Sequence, residues 1–580
     1  MHLLVTVMAV VAAHPQAVAT LSGADFAGGA KDVYGALYFG EYGVNYVYAA
    51  PTGAHSRMTA EFSVAAPAPK PLFLYMRARD SDSGAHSAIR VALNGTALFE
   101  GPNEFPGNDW SVRRYPLPAG ALAEGRNELA IVCTEPEGRL GMPPWFMVAG
   151  CAIAPDGYEW GHRDIAADFA IRLPSEKRPF PEPLPEGAKP GFRVRGIKGW
   201  MWRPEQYLAE IPVLARYRMN FMMVCYTSMC DIEHYSWGDP RCNRWWEPLP
   251  PEKKEAYARV VGACQRAGVQ FCLSMNPGLC TERPIDYHSV DDREALWQHY
   301  EWMQGLGVRW FSVSLDDIST GIDPSGQAAL ANAILARLKA RDPQAKLIFC
   351  PTAYWGDGTD DWSRPYLETL ARELDPEVYL FWTGDAVVGH ITRRAAESYK
   401  KVAQHRLIVW DNYPVNDAQP TLHLGPVLFR DPDLCEVAEG YMSNSMCPQN
   451  EANRVPMLTC ADYAYNPAEY DPERSIGQAI LHLADPGEQR QALADLVEAY
   501  PGDLLFGGGT SCNPVRESIV KMGDTPHSAT LARAYVAFLE DLSRRLARAL
   551  PDRFRDAGRT LDRDIEWARK LVKARYGVTD

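Results

Sequence analysis

The chain has 580 residues, of which 46% are hydrophobic, 23% charged and 11% aromatic, a composition typical of a globular protein rather than a disordered or fibrous one. It carries 59 Lys and Arg against 73 Asp and Glu, a formal net charge of −14, and has no basic run that would neutralise a phosphate backbone. We therefore expect no nucleic-acid partner, and the length predicts roughly two to four domains.

Residues 1–19 have the features of a signal peptide. An apolar stretch from Leu3 to Ala13 is followed by Ala17-Val18-Ala19, small residues that resemble a signal-peptidase site. This pattern predicts a secreted or periplasmic protein. A plain hydrophobic N-terminus is the alternative, because the stretch carries no Lys or Arg. No later segment approaches the ~20 uninterrupted apolar residues of a membrane span.

Residues 20–170 show the alternation of a β-sandwich. Ile89, Val91 and Leu93 alternate with other residues up to Asn94-Gly95, a dipeptide typical of a hairpin turn. No amphipathic helix interrupts the region, which resembles the galactose-binding-like jelly rolls found on many glycosidases. A sugar-binding role and a purely structural role both stay open for this domain.

A linker, a repeating strand–helix pattern and a helical region follow. Prolines cluster between residues 172 and 191 and predict a linker over 171–191. Beyond it, β-rich runs alternate with segments of helical period; the runs are 193–200, 220–226, 269–275, 308–315, 346–350, 378–382, 406–410 and 437–442. These units predict a (β/α)8 barrel over 192–474, with a doubly wound sheet as the alternative. An apolar stripe through Leu531, Phe538 and Leu546 predicts a C-terminal α-helical domain over 475–580.

Two adjacent carboxylates, Asp316 and Asp317, follow the fourth run, where a barrel of this type carries its reactive groups. Like charges at close range raise the pKa of one partner, which suits one acid and one base near neutral pH. Helix capping is the alternative, and so is a divalent-metal site completed by Asp385, Asp411 or Asp417. We expect neither a metal nor another cofactor, and the 13 cysteines include no CxxC pair.

Polar and aromatic motifs follow the later runs in a fixed order. They are Asp316-Asp317-Ile318, Cys350-Pro351-Thr352-Ala353-Tyr354, Phe381-Trp382-Thr383-Gly384, Trp410-Asp411-Asn412-Tyr413-Pro414-Val415-Asn416-Asp417, Leu424-Gly425-Pro426, Ser443-Asn444-Ser445-Met446 and Gln449-Asn450-Glu451-Ala452. This ordered set closely resembles glycoside hydrolase family 84, the O-GlcNAcases and bacterial β-N-acetylglucosaminidases. The resemblance begins near Gly191 and does not include the N-terminal sandwich.

The resemblance implies a retaining, substrate-assisted glycosidase that removes β-linked N-acetylhexosamine, with GlcNAc the leading candidate, from a glycan or glycoconjugate. The substrate's own acetamido oxygen attacks the anomeric carbon, so no enzyme nucleophile is needed. Carried over by position, Asp316 would orient and polarise the acetamido group. Asp317 would protonate the leaving oxygen and then activate water.

The same resemblance implies eight substrate-binding residues, which are Gly199, Tyr354, Trp382, Thr383, Trp410, Asn412, Asp417 and Asn444. Tyr354 would hydrogen-bond the acetamido side, while Asn412 and Asn444 would hold that group and the sugar. Asp417 would bind hydroxyls of the ring. The two tryptophans and Thr383 would form the pocket wall, and Gly199 would let a hydroxyl approach the backbone.

The chain departs from the family at two strand ends. Residues 198–202 read Lys-Gly-Trp-Met-Trp where family members usually read Glu-Gly-Phe-Tyr-Gly, and residues 225–228 read Cys-Tyr-Thr-Ser, without the family's sugar-contacting lysine. Trp237, Trp245 and Trp246 lie in the loop after the second strand and could build a different wall. Two alternatives therefore stay open: a glycosidase of the same fold for another sugar, and a non-catalytic carbohydrate-binding barrel.

Overall fold

The computed structural model describes residues 15–30, 41, 43–65, 71–81, 84–107, 109–140, 143–160, 173–199, 201–229, 239–417, 421–447, 450–501, 513–520, 522–524 and 526–577. Most of the predicted signal peptide, residues 1–14, lies outside these residues, as does Trp237. The chain folds as two compact units, Met1–Ala170 with Val515–Phe538 and Glu566–Asp580, and Ile171–Pro514 with Leu539–Ile565.

The first unit contains two antiparallel sheets, as the alternation predicted. In chain order the strands are β1 (Ala19–Ser22), β2 (Ala27–Gly28), β3 (Asn45–Tyr48), β4 (Arg57–Val64), β5 (Leu72–Asp80), β6 (Ala88–Leu93), β7 (Thr96–Pro102), β8 (Ser111–Pro116), β9 (Gly125–Cys133) and β10 (Trp145–Pro155). One sheet has the order β1-β10-β5-β8 with β3 also paired to β10, and the other has the order β2-β4-β9-β6-β7.

The two sheets share one hydrophobic core, which explains the alternation along their strands. Met76 and Val148 of one sheet lie in the same buried cluster as Val91 and Ile131 of the other. The Asn94-Gly95 dipeptide joins β6 to β7 with positive φ at both residues, 48° and 79°, as a type I′ hairpin turn requires. The sandwich expectation is confirmed.

The second unit contains a closed barrel of eight parallel strands, in chain order around the barrel. They are β11 (Val194–Gly199), β12 (Phe221–Val224), β13 (Gln270–Met275), β14 (Trp310–Ser314), β15 (Lys346–Cys350), β16 (Tyr379–Trp382), β17 (Arg406–Pro414) and β18 (Ala438–Ser445). Each lies within or overlaps one of the predicted runs, so the barrel is confirmed and the doubly wound sheet is excluded. Parallel strands covered on both faces are nearly continuous in apolar residues, which is why their sequence signal is strong.

Helices follow most of the barrel strands and continue to the end of the chain. They are α1 (Pro204–Arg216), α2 (Pro251–Ala267), α3 (Val290–Gly305), α4 (Pro324–Arg341), α5 (Ser363–Glu373), α6 (Arg393–Ala403), α7 (Asn450–Tyr465), α8 (Pro472–Leu483), α9 (Glu488–Ala499), α10 (Pro514–Val520), α11 (Pro526–Ala549) and α12 (Arg555–Tyr576). The predicted C-terminal helices are thus present. Within the described ranges, no helix combines the length and apolar character needed to cross a membrane.

Candidate active site

Asp316 and Asp317 lie in a turn directly after β14, at the carboxyl end of the barrel. The amide of Leu315 donates to the carbonyl of Cys350 at 2.8 Å, which ties the chain entering this turn to β15. Asp317 then adopts a left-handed backbone conformation with φ of 59°, which aspartate tolerates better than most residues. Asp316 is only 5% exposed, whereas Asp317 is exposed. The turn therefore gives two neighbouring carboxyl groups opposite surroundings.

The carboxyl group of Asp316 is held by donors from two other strand ends. The hydroxyl of Tyr226, just after β12, donates to Oδ2 at 2.8 Å, and Nδ2 of Asn276, just after β13, donates to Oδ1 at 3.2 Å. Burial, reinforced by the charge of Asp317, raises the pKa of Asp316 to about 6. The positive charge of Lys198 and the bond from Tyr226 act in the opposite direction. The pKa of Asp316 therefore lies above the ordinary range of an aspartic acid.

Asp317 accepts a hydrogen bond from Tyr354, the residue at the end of the predicted Cys-Pro-Thr-Ala-Tyr motif. The hydroxyl of Tyr354 lies 2.6 Å from Oδ1 of Asp317. Burial and the neighbouring negative charges raise the pKa of Tyr354 far above its ordinary value, so this hydroxyl stays protonated and donates. The amide of Thr383 donates to the carbonyl of Tyr354 at 2.9 Å and fixes the tyrosine to the loop after β16.

Trp410, Asn412 and Asn444 form a second hydrogen-bonded group at the same end of the barrel. Oδ1 of Asn412 accepts from the indole of Trp410 and from Nδ2 of Asn444, both at 2.9 Å. The pairing of β17 with β18 is irregular between Asp411 and Pro414, and this bulge contains Asn412. Oδ1 of Asn444 is buried and has no hydrogen-bond partner among the residues that the structure describes.

Lys198 connects the two groups. Its side chain is buried, with Nζ 3.5 Å from the ring centroid of Trp410 and 5.2 Å from that of Tyr226. In the barrel register Lys198 of β11 is the partner of Asn444 in β18. An ammonium over the face of a tryptophan is stabilised by the ring quadrupole, more strongly when water is excluded. The amine, the two aromatic rings and Asp316 thus form one continuous cluster.

Four predicted site residues lie in other surroundings. The indole of Trp382 packs against Tyr399 of α6 and donates to the carbonyl of Gly356 at 2.9 Å, so its ring lies on the helix side of the barrel wall. Thr383 is buried, and its hydroxyl donates to the carbonyl of Ala386 at 3.0 Å.

Gly199 and Asp417 are the other two predicted site residues that lie in other surroundings. A Cβ on Gly199 would lie 2.5 Å from the ring of Trp202, so a close approach by that indole accounts for the glycine. Asp417 is exposed beyond the end of β17, and its charge acts on Cys447.

The carboxylates considered as metal ligands have partners of their own. Asp411 is 1% exposed and accepts from Arg430, with a 2.8 Å bond from Nε, and from the hydroxyl of Tyr441. Asp385 accepts from the amide and the hydroxyl of Thr392, each at 2.9 Å. The described part of the chain contains no group of three or more His, Cys, Asp or Glu side chains that could hold a metal ion.

Sequence reasoning missed three residues of the cluster. The sequence does not assign Asn276 to the site, and Lys198 and Tyr226 stand only in the two stretches that depart from the family. Their one shared signal is position, because each lies at or just after the carboxyl end of a barrel strand. The contacts that they make with Asp316 and Trp410 come from distant parts of the chain and have no local signature.

The chain is similar to known hydrolases. Over 284 residues it is 26% identical to the protein O-GlcNAcases of Mus musculus and Rattus norvegicus, a match that covers 47% of this chain and 29% of each relative. The fold is similar to an O-GlcNAc hydrolase mutant from Thermobaculum terrenum, with a TM-score of 0.55 at 23% identity, covering 66% of this chain and 84% of that one. It is also similar to CpGH84B, with a TM-score of 0.54 at 18% identity and coverages of 85% and 79%.

The family model supplies the assignment. A model described as β-N-acetylglucosaminidase matches residues 194–498, which is more than half of the chain. The match runs from the first barrel strand into α9 and includes every predicted site residue. On this ground the chain belongs to the β-N-acetylglucosaminidase family, glycoside hydrolase family 84.

Proposed function

We propose that this protein removes β-linked N-acetylglucosamine from a glycan or glycoconjugate by a retaining, substrate-assisted reaction, with Asp316 and Asp317 in separate roles. The observation that carries the proposal is the contrast between the two carboxyl groups. Asp316 is buried and receives hydrogen bonds on both oxygens, whereas Asp317 is exposed and bonded to Tyr354. Hydrogen bonds donated to both oxygens of Asp316 favour its carboxylate form, which suits the acetamido side, whereas the exposed Asp317 suits proton exchange with the leaving oxygen and with water.

In the proposed first step, the acetamido oxygen of the substrate attacks the anomeric carbon and the bond to the leaving oxygen breaks. Asp317 gives its proton to that oxygen. Asp316, as a carboxylate, accepts a hydrogen bond from the acetamido N–H and stabilises the positive charge that develops as the oxazoline forms. In the second step Asp317 takes a proton from water, which opens the oxazoline with net retention.

Neighbouring residues support binding of the sugar. We assign Trp410, whose ring packs against Lys198 and Phe381 at this end of the barrel, to the pocket wall. Oδ1 of Asn444 is a buried acceptor, and a buried acceptor is costly unless a donor such as a sugar hydroxyl or amide meets it. We also assign Asn412 and Tyr354 to the acetamido side and Asp417 to ring hydroxyls, while Gly199, Trp382 and Thr383 would shape the pocket from behind.

The first test of the proposal is substrate choice. The purified protein is given the 4-nitrophenyl β-glycosides of GlcNAc, GalNAc, glucose and galactose, with Asp317→Asn as the control. Turnover confined to the 2-acetamido sugars supports the proposal. Turnover of a plain sugar would instead favour a glycosidase of the same fold with another substrate. Binding of a thiazoline that mimics the oxazoline, without turnover of any sugar, would favour a carbohydrate-binding barrel.

The second test separates the two carboxyl groups. We expect Asp317→Asn to slow substrates with poor leaving groups by about 10²-fold or more, and those with good leaving groups much less, because only poor ones need a proton. Asp316→Asn should slow both classes alike, since ring formation is common to both. Equal losses on every leaving group for both variants would contradict these roles. The measurement is kcat/KM across a series of aryl β-GlcNAc substrates.

Export of the protein is a separate proposal that rests on residues 1–19. Full-length protein expressed with its own N-terminus should be recovered outside the cytoplasm, and sequencing of the recovered N-terminus should show cleavage near Ala19. Recovery of uncleaved protein from the cytoplasm would contradict the proposal.

A further inference from the structure

Consecutive strands of the barrel contribute one side chain each to the surroundings of Asp316. Lys198 comes from β11, Tyr226 from the end of β12, Asn276 from the end of β13 and Asp316 itself from the end of β14. The strands are neighbours in the barrel, so their carboxyl ends lie side by side. The arrangement therefore brings a cation, a hydroxyl and an amide to one carboxyl group.

Lys198 places an ammonium group in the barrel interior, where a charge needs compensating contacts. Its side chain is only 1% exposed, and Nζ lies over the rings of both Trp410 and Tyr226. Tyr226 in turn donates to Oδ2 of Asp316 at 2.8 Å. Lys198 is thus placed by Trp410 on one side and linked through Tyr226 to Asp316 on the other.

We propose that Lys198 and Tyr226 are positioning residues that together keep Asp316 in its carboxylate form and correctly oriented when the substrate binds. Asp316 must be ionised to accept a hydrogen bond from an acetamido N–H. Burial and the adjacent Asp317 both favour the protonated form, whereas the charge of Lys198 and the bond from Tyr226 favour the carboxylate. The inference rests on the proposed function, since the carboxylate is needed only if Asp316 meets the acetamido group.

Three other titratable groups that the structure shows acting on this carboxyl group are acids, and none of them can offset the negative charge of an ionised Asp316. They are Asp317 beside it, Cys350 at the end of β15 and Tyr354 in the loop that follows β15. Tyr354 and Cys350 are neutral at working pH, because burial raises the pKa of each well above its ordinary value. Among the groups that the structure shows acting on Asp316, Lys198 supplies the positive charge.

The test compares Lys198→Met and Tyr226→Phe with wild type and a matched control. The control is Lys346→Met, which also removes a lysine stacked on a barrel tryptophan, with Nζ 4.6 Å from the ring of Trp310, but at the amino end of β15. The measurement is the pH profile of kcat/KM with 4-nitrophenyl β-GlcNAc, which reports the ionisation of the free enzyme.

We expect the wild-type profile to fall on the acidic side near pH 6, where Asp316 takes up its proton. In Lys198→Met and in Tyr226→Phe this limb should move upward by about one pH unit. Lys346→Met should leave the limb in place. A plateau that falls at every pH with an unmoved limb would overturn the proposal, because that result indicates a substrate contact or a structural role.

A further measurement keeps the inference separate from the proposed function. If wild type hydrolyses no acetamido sugar, the proposed function fails, and the ionisation of Asp316 is read directly by a ¹³C-carboxyl NMR titration assigned with Asp316→Asn. In that titration too, the midpoint of Asp316 should rise in both variants, and an unchanged midpoint would overturn the inference. If Lys198→Met does not fold, Tyr226→Phe carries the test, because it removes a single hydroxyl.

Discussion

Asp411 and Asn412 are adjacent in the sequence but lie in different surroundings in the fold. Asp411 is buried against Arg430 and Tyr441, whereas Asn412 joins Trp410 and Asn444. Successive side chains of a strand point to opposite faces, so neighbours can serve the barrel wall and its interior. The carboxylate of this pair is therefore structural and the amide belongs to the candidate site.

The buried ion pair leads to a prediction about stability. Arg430→Met leaves the carboxylate of Asp411 buried without its cation, and we expect a loss of about 3 kcal/mol or more in the free energy of unfolding. The combined variant Asp411→Leu, Arg430→Met, Tyr441→Phe removes the charge and both of its partners, and it should recover part of that loss. Denaturant unfolding followed by tryptophan fluorescence measures both. A combined variant less stable than Arg430→Met alone would contradict the explanation.

The sequence identified candidate site residues by their chemical type, but it did not show which of them contact one another. The Asp316-Asp317 doublet stands out in the sequence because two adjacent carboxyl groups at a strand end are costly to ionise together. The sequence could not show that Tyr226 and Asn276 hold Asp316, since these residues lie 90 and 40 positions away along the chain. Which oxygen receives which donor depends on side-chain packing in the closed barrel.

At the scale of elements, the end of β11 is shaped by one close contact. The ring of Trp202 lies where a Cβ on Gly199 would be, and its indole donates to the carbonyl of Met446 at 3.0 Å, just beyond β18. The carbonyl of Gly199 accepts from the hydroxyl of Tyr207 in α1. The glycine therefore lets the first strand, its helix and the last strand pack together.

Gly199→Ala should disturb this packing. The added methyl group would lie 2.5 Å from the indole of Trp202, so the ring must move, and we expect a loss of about 1–3 kcal/mol in the free energy of unfolding. Gly305→Ala is the matched control, because no atom lies within 4 Å of a Cβ built at this helical glycine. The measurement is the melting temperature of each variant in thermal unfolding. Equal melting temperatures would show that the Trp202 contact is not tight in solution.

The strand runs were predictable because barrel strands are buried on both faces, but the carboxyl ends of the last two strands were not. The eighth run was predicted over 437–442, whereas β18 continues to Ser445. The seventh run was predicted over 406–410, whereas β17 continues to Pro414. The extension contains the bulge at Asn412 and pairs with β18. The end of β17 is therefore set by pairing with the neighbouring strand rather than by the local strand propensity of its residues. Trp382 of β16 is the register partner of Val409 in β17, so Trp382 and Trp410 lie on opposite faces of the barrel wall.

At the scale of the whole molecule, stability should depend on pH through buried carboxyl groups. Burial raises the pKa of Asp462 in α7 to about 6. The folded protein therefore holds a proton on Asp462 between about pH 4 and 6 that the unfolded chain releases. This contribution to stability is present at low pH and is lost as pH rises through 6.

Asp462→Asn isolates this effect because asparagine does not titrate. We expect the stability of the variant relative to wild type to increase by about 3 kcal/mol from pH 4 to pH 7. Asp342→Asn is a control of opposite sign, since hydrogen bonds from the amide of Gln344 and from Arg309 lower the pKa of Asp342. Its stability relative to wild type should decrease as pH rises through about 4, where an unfolded aspartate ionises, and should stay constant above that. Denaturant unfolding at several pH values measures both, and a pH-independent difference for Asp462→Asn would contradict the assignment.

The sequence by itself determined the class of the molecule: antiparallel strands first, then eight strand–helix units, then helices, with polar motifs after the strands. It could do so because alternation, helical period and turn residues are local properties of the chain. Only the tertiary structure decided which motifs meet. Closure of the barrel places Lys198 over the ring of Trp410 and lets the hydroxyl of Tyr226 donate to Asp316. It also directs the ring of Trp382 toward α6. These contacts depend on strand register and side-chain packing, which involve residues far apart in the sequence.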